Sequence, residues 1–333
     1  MRWALIGASR IASSYMIEAF RAQNGSEVLC VLSSDLNRGR VFAGANGIAT
    51  CTTDLAELLS DDSVDAVYIS TTNEKHHTQA LAAIAAGKHV LCEKPLAMTL
   101  DHAVEMVRAA KEKGVVFATN HHLRNAGSHL AIKGLITSGR IGKVLSVRVF
   151  HAVNLPEHLR GWRINDAAAG GGVIPDITVH DADTVRFLLD EDPMDIVAKA
   201  GTSGMGEGVE DSVMSVWSMP SGVMVQSHES FTHAYSGTGI EFHGTEGSIF
   251  ARNVMTQEPV GSIRLVTAQG EEDVQYDKHN LYNRSLGLFL KAVKGSGKPS
   301  ADGVDGIKSL AVALAVREAA QSGHSVSVDY GGL

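Results

Sequence analysis

Two short stretches carry residue types that can move a proton. The first is Cys92-Glu93-Lys94-Pro95-Leu96, where a carboxylate, an amine and a proline follow the apolar run His89-Val90-Leu91-Cys92. Pro95 fixes its own φ and restricts the residue before it, so the Lys94 amine sits on a stiff backbone. A lysine titrates near ~10.4 and is an ammonium donor unless burial lowers it. The second stretch is Pro175-Asp176-Ile177-Thr178-Val179-His180, which follows Gly170-Gly171-Gly172, read as a flexible lead-in. On a helix, Asp176 and His180 share a face. Histidine titrates near neutrality, and a positioned one contributes roughly 10²–10⁴-fold to a proton transfer. A carboxylate beside it can orient a hydroxyl. Each stretch also has a purely structural reading: a surface Glu-Lys pair in a strand-to-loop turn, and an Asp-His pair on a solvated helix face. The elements around them decide between these.

Strand and helix patterns alternate from Met1 to Asn120, which predicts a doubly wound parallel sheet. Arg2-Trp3-Ala4-Leu5-Ile6 runs into Gly7-Ala8-Ser9-Arg10-Ile11-Ala12, and a helical pattern continues to Phe20. Gly7 permits a tight turn, Ala12 permits close packing of helix on strand, and a helix N-terminus offers amides to a pyrophosphate. Ser9 stands where the middle glycine of such a fingerprint is usual, and a plain structural turn is the competing reading. The next strand, Val28–Leu32, ends in Ser33-Ser34 with Arg38 shortly after. An NAD site would carry an acid there, whereas hydroxyls and a guanidinium suit a 2′-phosphate, with Arg10 as a second cation. NADP(H) is therefore the expected cofactor, and Asp35 is read as a turn or cap residue. Thr53 or Asp54 caps the next helix. The strand Val64–Ser70 opens into Thr71-Thr72-Asn73-Glu74-Lys75-His76-His77, another loop at a carboxyl end. Ligands of open parallel sheets bind beyond those ends, which is where Glu93 and Lys94 also fall.

After Asn120 the pattern changes. Helices are expected at 128–138, from Asp176 to Leu189, at 280–294 and at 303–322. Strands are expected at 145–153, 213–219, 223–230, 238–243, 248–251 and 262–267. Short turns between consecutive strands predict a mostly antiparallel, open sheet. The expected domains are 1–120, binding the nucleotide, and 121–333, an α+β substrate domain; a late helix can pack back on the first.

The chain has 333 residues and a formal net charge of −8, which argues against nucleic acid as a partner. Cys30, Cys51 and Cys92 have no metal spacing and read as free thiols of a cytoplasmic protein. No apolar stretch approaches the roughly 20 residues of a membrane span, and no signal peptide is evident. His76-His77 and His121-His122 are adjacent pairs that do not share a face, so no metal site is expected from them.

The order of Gly7–Ala12, Glu93-Lys94-Pro95 and Asp176-x-x-x-His180 resembles the glucose-fructose oxidoreductase / inositol dehydrogenase / MocA family along nearly the whole chain. Thr71–Glu74, His89–Thr99, Thr119–Asn125, Gly161-Trp162-Arg163, Asp176–Asp183 and Arg252–Gln257 carry that likeness further. The resemblance implies NADPH-dependent reduction of the C2 ketone of a cyclic keto-sugar such as 1,5-anhydro-D-fructose. It implies cofactor contacts from Ser9, Arg10, Ile11, Ala12, Ser33, Ser34, Arg38, Thr71, Thr72, Asn73, Glu74, Lys75, His76, Glu93, Lys94, Asn120, Trp162, Arg163 and Tyr282. It assigns Lys94 and His180 to catalysis with Asp176 nearby, and it suggests a cis bond before Pro95. Two rivals share the frame: an NAD-linked sugar or inositol dehydrogenase, and a sensing protein without chemistry. Monomer and homo-oligomer are both compatible with the sequence.

Overall fold

The short apolar runs of the first third become the strands of one parallel sheet. The computed structural model describes residues 1–332 and divides into two units: Met1–His121 with Tyr282–Ile307, and His122–Leu281 with Lys308 onward. In the first unit the strands are β1 (Arg2–Ile6), β2 (Glu27–Leu32), β3 (Thr50–Thr52), β4 (Ala66–Ile69), β5 (His89–Cys92) and β6 (Phe117–Thr119). Their order is β3-β2-β1-β4-β5-β6, with every pair parallel. The direction of winding reverses between β1 and β4, the place where such sheets bind ligands.

The intervening helices are α1 (Ile17–Arg21), α2 (Leu36–Ala45), α3 (Leu55–Ser60), α4 (His76–Ala85) and α5 (Leu100–Lys113). Side chains close their first turns. Asp35 accepts from Arg38 N at 2.7 Å, Asp54 from Ala56 N at 2.8 Å, and Thr99 from His102 N at 3.3 Å. Gly114 ends α5 in the left-handed region at φ 72°. The segment from Tyr282 adds to the same core: Trp3 packs on Phe20 at 4.5 Å and on Phe289 at 5.3 Å between ring centroids. α2 and β3 were not expected. The composition of α2, with Gly39 and Gly44 among polar residues, hides its helical period.

The second unit holds a nine-stranded sheet. Its strands are β7 (Val144–Ala152), β8 (Asp195–Gly201), β9 (Ser212–Ser218), β10 (Met224–Ser230), β11 (Thr238–Gly244), β12 (Gly247–Arg252), β13 (Ser262–Thr267), β14 (Gly270–Asp273) and β15 (Val326–Ser327). Every pairing is antiparallel except β7 with β10, and the order is β14-β13-β12-β11-β7-β10-β9-β8-β15. β8, β14 and β15 escaped the sequence reading; β8 and β14 are largely polar or exposed, and β15 has two residues. Helices α6 (Gly127–Thr137), α7 (Gly161–Asn165) and α8 (Val179–Leu189) belong to this unit, as does α10 (Gly303–Ser322) from Lys308; α9 (Leu281–Val293) enters the first unit at Tyr282. The core includes Val147, Val149, Val225, Trp217, Val185 and Leu188. Alternate residues Met214, Val216 and Met224 face solvent. Among the described residues, no helix is long and apolar enough to cross a membrane.

A buried ion pair ties α8 to the 3₁₀ turn His122–Asn125. Arg124 donates from Nε and Nη2 to the two oxygens of Asp183, both at 2.7 Å. Asp183 is 1% exposed and Arg124 8%. Removing one partner leaves a charge in the interior, a loss of about 3–5 kcal/mol. Asp183→Ala is therefore expected to lower the urea midpoint by that stability with an unchanged slope; a loss below about 1 kcal/mol would contradict the role given to the pair.

Candidate active site

At the switch between β1 and β4 the backbone leaves no room for a side chain. Gly7 has φ +118°, and a Cβ built on it would lie 3.0 Å from the carbonyl carbon and oxygen of Ser70. Its amide donates to Leu32 O at 3.0 Å, and Ser70 N donates to Ile6 O at 2.9 Å, so three strand ends are drawn together. Ser9 Oγ lies 2.7 Å from Ser70 Oγ and accepts from Ala12 N at 3.2 Å. Ser9 thus caps the turn from inside. Arg10 is exposed and Ile11 half-buried, and Ala12–Met16 form a π-helical turn ahead of α1. Along the next strand end, Ser33 is buried while Ser34 and Arg38 are exposed. Asp35 is engaged with the Arg38 amide as the cap of α2, the role expected for it.

The loop after β4 is cross-braced. Thr71 Oγ1 donates to Gln79 Oε1 at 2.7 Å, and Thr72 Oγ1 donates to Glu74 Oε1 at 2.7 Å. Glu74 also lies 3.7 Å from Lys75 Nζ. Asn73 is buried. The fully buried His76 ring places Nδ1 2.9 Å from Pro95 O and Nε2 3.2 Å from Thr71 O, so it ties this loop to the Lys94-Pro95 turn. Burial lowers its pKa, so at pH 7 the neutral ring carries a single N–H and donates to one of these two carbonyls, the shorter contact being that to Pro95. His77 points elsewhere, to Glu105 at 2.7 Å.

Glu93 stands at the end of β5. Its Oε1 accepts from the Tyr68 hydroxyl at 2.5 Å and from Asn120 Nδ2 at 2.7 Å, while Asn120 N donates to Cys92 O at 2.8 Å. Burial raises the Glu93 pKa, and the hydrogen bonds from Tyr68 and Asn120 oppose that rise. Burial, with Glu93 close by, pushes the Tyr68 phenol well above its usual value, so it remains a donor. Lys94 follows on a half-buried backbone with a cis bond to Pro95, as the resemblance implied. Tyr282 is buried against Tyr15, with ring centroids 5.1 Å apart. The group implied here is a nicotinamide dinucleotide, and the residues fit one. Gly7 offers backbone where a Cβ would block approach, and the buried Oδ1 of Asn120 has no hydrogen-bond partner among the described residues.

In the second unit the triple glycine is packed rather than flexible. Gly170, Gly171 and Gly172 are buried. Gly171 N donates to Asp166 O at 2.9 Å and Gly172 N to Arg163 O at 2.8 Å. A Cβ on Gly171 would lie 2.6 Å from Trp162 O. The chain is thereby pressed onto the turn that carries Trp162 and Arg163. Arg163 Nε lies 3.3 Å from Asp176 Oδ2, and its guanidinium stacks 4.7 Å over the Trp162 ring. Ile174–Thr178 form a π-helical turn before α8, so the helical segment starts two residues earlier than expected and with a wider turn. His180 is 9% exposed. Its ring meets that of His122 edge-on at 4.8 Å, a neighbour that the sequence reading left as an ordinary loop histidine. The available signal was the Asn120-His121-His122 stretch itself, which gave no indication of a partner.

The family description "Oxidoreductase family, NAD-binding Rossmann fold" matches residues 1–121, and "GFO/IDH/MocA C-terminal domain" matches residues 129–250. The chain is 55% identical over 331 residues to a 1,5-anhydro-D-fructose reductase of Ensifer adhaerens, covering 99% of each. It is 26% identical to a myo-inositol 2-dehydrogenase of Thermotoga maritima, again covering 99% of each. A crystal structure of aldose-aldose oxidoreductase from Caulobacter crescentus in complex with glycerol shares the fold, with TM-score 0.90, 23% identity, and coverage of 98% of this chain and 99% of that one.

Gly7→Ala tests the cradle. It adds a Cβ against Ser70 and strains a positive φ, at a cost of about 1–3 kcal/mol. NADPH affinity measured by fluorescence titration is expected to fall by roughly tenfold or more. Unchanged affinity would show that no nucleotide approaches this turn.

Proposed function

The chain belongs to the GFO/IDH/MocA oxidoreductase family, and on that premise we propose that it reduces the C2 ketone of 1,5-anhydro-D-fructose, or a closely similar cyclic keto-sugar, with NADPH. The product is the alcohol, 1,5-anhydro-D-mannitol. The reading is carried by full-length identity to a reductase of that sugar, and the matched segment includes the Glu93-Lys94-cis-Pro95 turn and the Asp176–His180 segment.

When bound, the reduced nicotinamide supplies a hydride to the ketone carbon. The chain's own residues manage the oxygen. The Lys94 ammonium donates a hydrogen bond to that oxygen and stabilises the charge that develops on it. His180 supplies the proton that completes the alcohol. Asp176, held beside the Arg163 guanidinium, accepts from a sugar hydroxyl and orients the ring. Glu93, fixed by Tyr68 and Asn120, keeps the Lys94 backbone in place.

Preference for NADPH rests on the end of β2. A ribose-binding acid is absent at Ser33, and Asp35 is turned to the amide of Arg38. The exposed Arg38 and Arg10 guanidinium groups suit a 2′-phosphate.

Two outcomes test this reading. Lys94→Ala is expected to lower kcat for anhydrofructose by about 10²–10³-fold, the loss typical of an oxyanion donor, with NADPH still bound. Turnover within about twofold of the parent protein would remove Lys94 from the chemistry. Ser33→Asp is expected to shift the NADPH/NADH ratio of kcat/KM toward NADH by roughly tenfold, through repulsion of a 2′-phosphate and a new acceptor for ribose hydroxyls. An unchanged ratio would place the 2′-phosphate elsewhere.

A further inference from the structure

Two carboxyl groups that the proposed chemistry does not use meet inside the second unit. Asp181, in the first turn of α8, and Glu229, on β10, are both 0% exposed. Asp181 Oδ1 lies 2.7 Å from His151 Nδ1, whose N–H donates to it. His151 stands on β7 directly opposite Glu229 in the parallel β7–β10 pairing. Glu229 Oε1 accepts from the Ser227 hydroxyl. The two remaining oxygens, Asp181 Oδ2 and Glu229 Oε2, have no N–H or hydroxyl partner among the described residues. The two side chains thus meet around one imidazole and interact with each other.

Two ionised carboxylates cannot share a dry site, because each raises the other's cost of ionisation. His151, when protonated, eases the ionisation of Glu229 and pairs with Asp181, while the other nearby charges are engaged elsewhere or absent. On α6, His129 is fully buried and held neutral, its pKa lowered to about 4 by burial and by His151. Arg124 and Arg186 face Asp183 and Asp192. A single proton between Glu229 Oε2 and Asp181 Oδ2 satisfies both orphan oxygens. The anion then lies on Asp181, where the His151 N–H already points.

We propose that Asp181 and Glu229 share one proton and act as positioning residues that fasten the start of α8 to the sheet, holding Asp176 and His180 in their working orientation. The proton-sharing stands on the burial, the shared His151 neighbour and the two orphan oxygens; the link to catalysis rests on the function assigned to His180 above. Burial pushes both carboxyl groups well above the usual range, and the charge of Asp181 adds to the rise at Glu229, in keeping with a pair that stays singly protonated at pH 7.

Three measurements on the full-length protein decide it. Infrared difference spectra of the parent protein against Glu229→Gln, at pH 7, are expected to show the carbonyl stretch of one protonated carboxylic acid; no such band overturns the shared proton. The second is stability against pH. A group whose folded pKa is raised stabilises the fold below its unfolded pKa, about 4.3 for Glu, and that stabilisation is lost as pH rises toward the folded value. Between pH 5 and 8 the folding equilibrium of the parent is therefore expected to fall relative to Glu229→Gln by about tenfold per pH unit until the pair titrates. Parallel curves overturn the proposal. The third is kinetic: Glu229→Ala is expected to lower kcat at least tenfold with the Kd for NADPH unchanged, and Glu229→Gln to recover most of it. Equal loss in both variants, or a matching loss of NADPH affinity, overturns the positioning role. If the parent protein reduces no keto-sugar, the assigned function fails, while the infrared and stability measurements still decide the proton.

Discussion

Glu93 is a half-buried carboxylate, and the Lys94 turn depends on how that carboxylate is held. One oxygen takes both the Tyr68 hydroxyl and the Asn120 amide. These donors come from β4 and from the residue that follows β6, so the neighbours of β5 on both sides of the sheet converge on it. A carboxylate buried without such donors would cost several kcal/mol or be neutralised. Loss of either donor would therefore alter the geometry of Lys94 without touching the lysine. His76 completes the support from the other direction by holding the carbonyl of Pro95. The turn is thus set by three strand ends and one buried imidazole, which is why a flexible amine can be placed reproducibly there.

The second unit solves a similar problem by similar means. His180 and Asp176 sit on a segment that begins with a π-helical turn, and the glycine turn of the first unit leads into another. An extra residue per turn leaves backbone groups less regularly paired and shifts the following side chains around the axis, a feature common at functional sites. Such a turn needs external fixing. In the first unit Ser9 and Ser70 supply it. In the second, Glu210 accepts from Ile174 N at 3.3 Å, and the buried contacts of Asp181 and Asp183 with β7 and the 3₁₀ turn supply the rest.

The sequence made the local chemistry legible and left the long-range support hidden. Gly7, the strand-end loops and the Lys94-Pro95 turn were readable because their signals lie within a few residues. The parallel order of the first sheet followed from the alternation of strands and helices. Asp35 was readable as a turn or cap residue from its position beyond β2, although the helix that it caps was not. By contrast, the triple glycine looked flexible because glycine signals freedom of φ and close packing alike, and only the contacts with Trp162 and Arg163 distinguish them. β8 carries few buried residues, so its alternation is faint. The parallel pairing of β7 with β10 joins strands distant in the chain, and nothing in either strand announces it. His122 beside His180, and Asp181 beside Glu229, are encounters of that kind, invisible to any reading by neighbourhood.

The buried ionisable groups of both units suit a catalyst better than a sensing protein. A binding module gains nothing from a lysine on a rigid turn, or from an imidazole whose surroundings are built from buried ionisable groups. Each such group carries a desolvation cost that an apolar residue of similar size would avoid. In the first unit His76 is one, with the half-buried Glu93 beside it; in the second they include Asp181, Asp183, Glu229 and His129. Their donors compensate much of that cost but leave little surplus, so stability alone does not account for them. Fixed orientation does, because a reacting oxygen tolerates only small errors in the placing of its donors, and well-aligned hydrogen bonds in a dry interior are stiffer than apolar packing. The interior polarity of each unit therefore answers a need for fixed orientation rather than for stability.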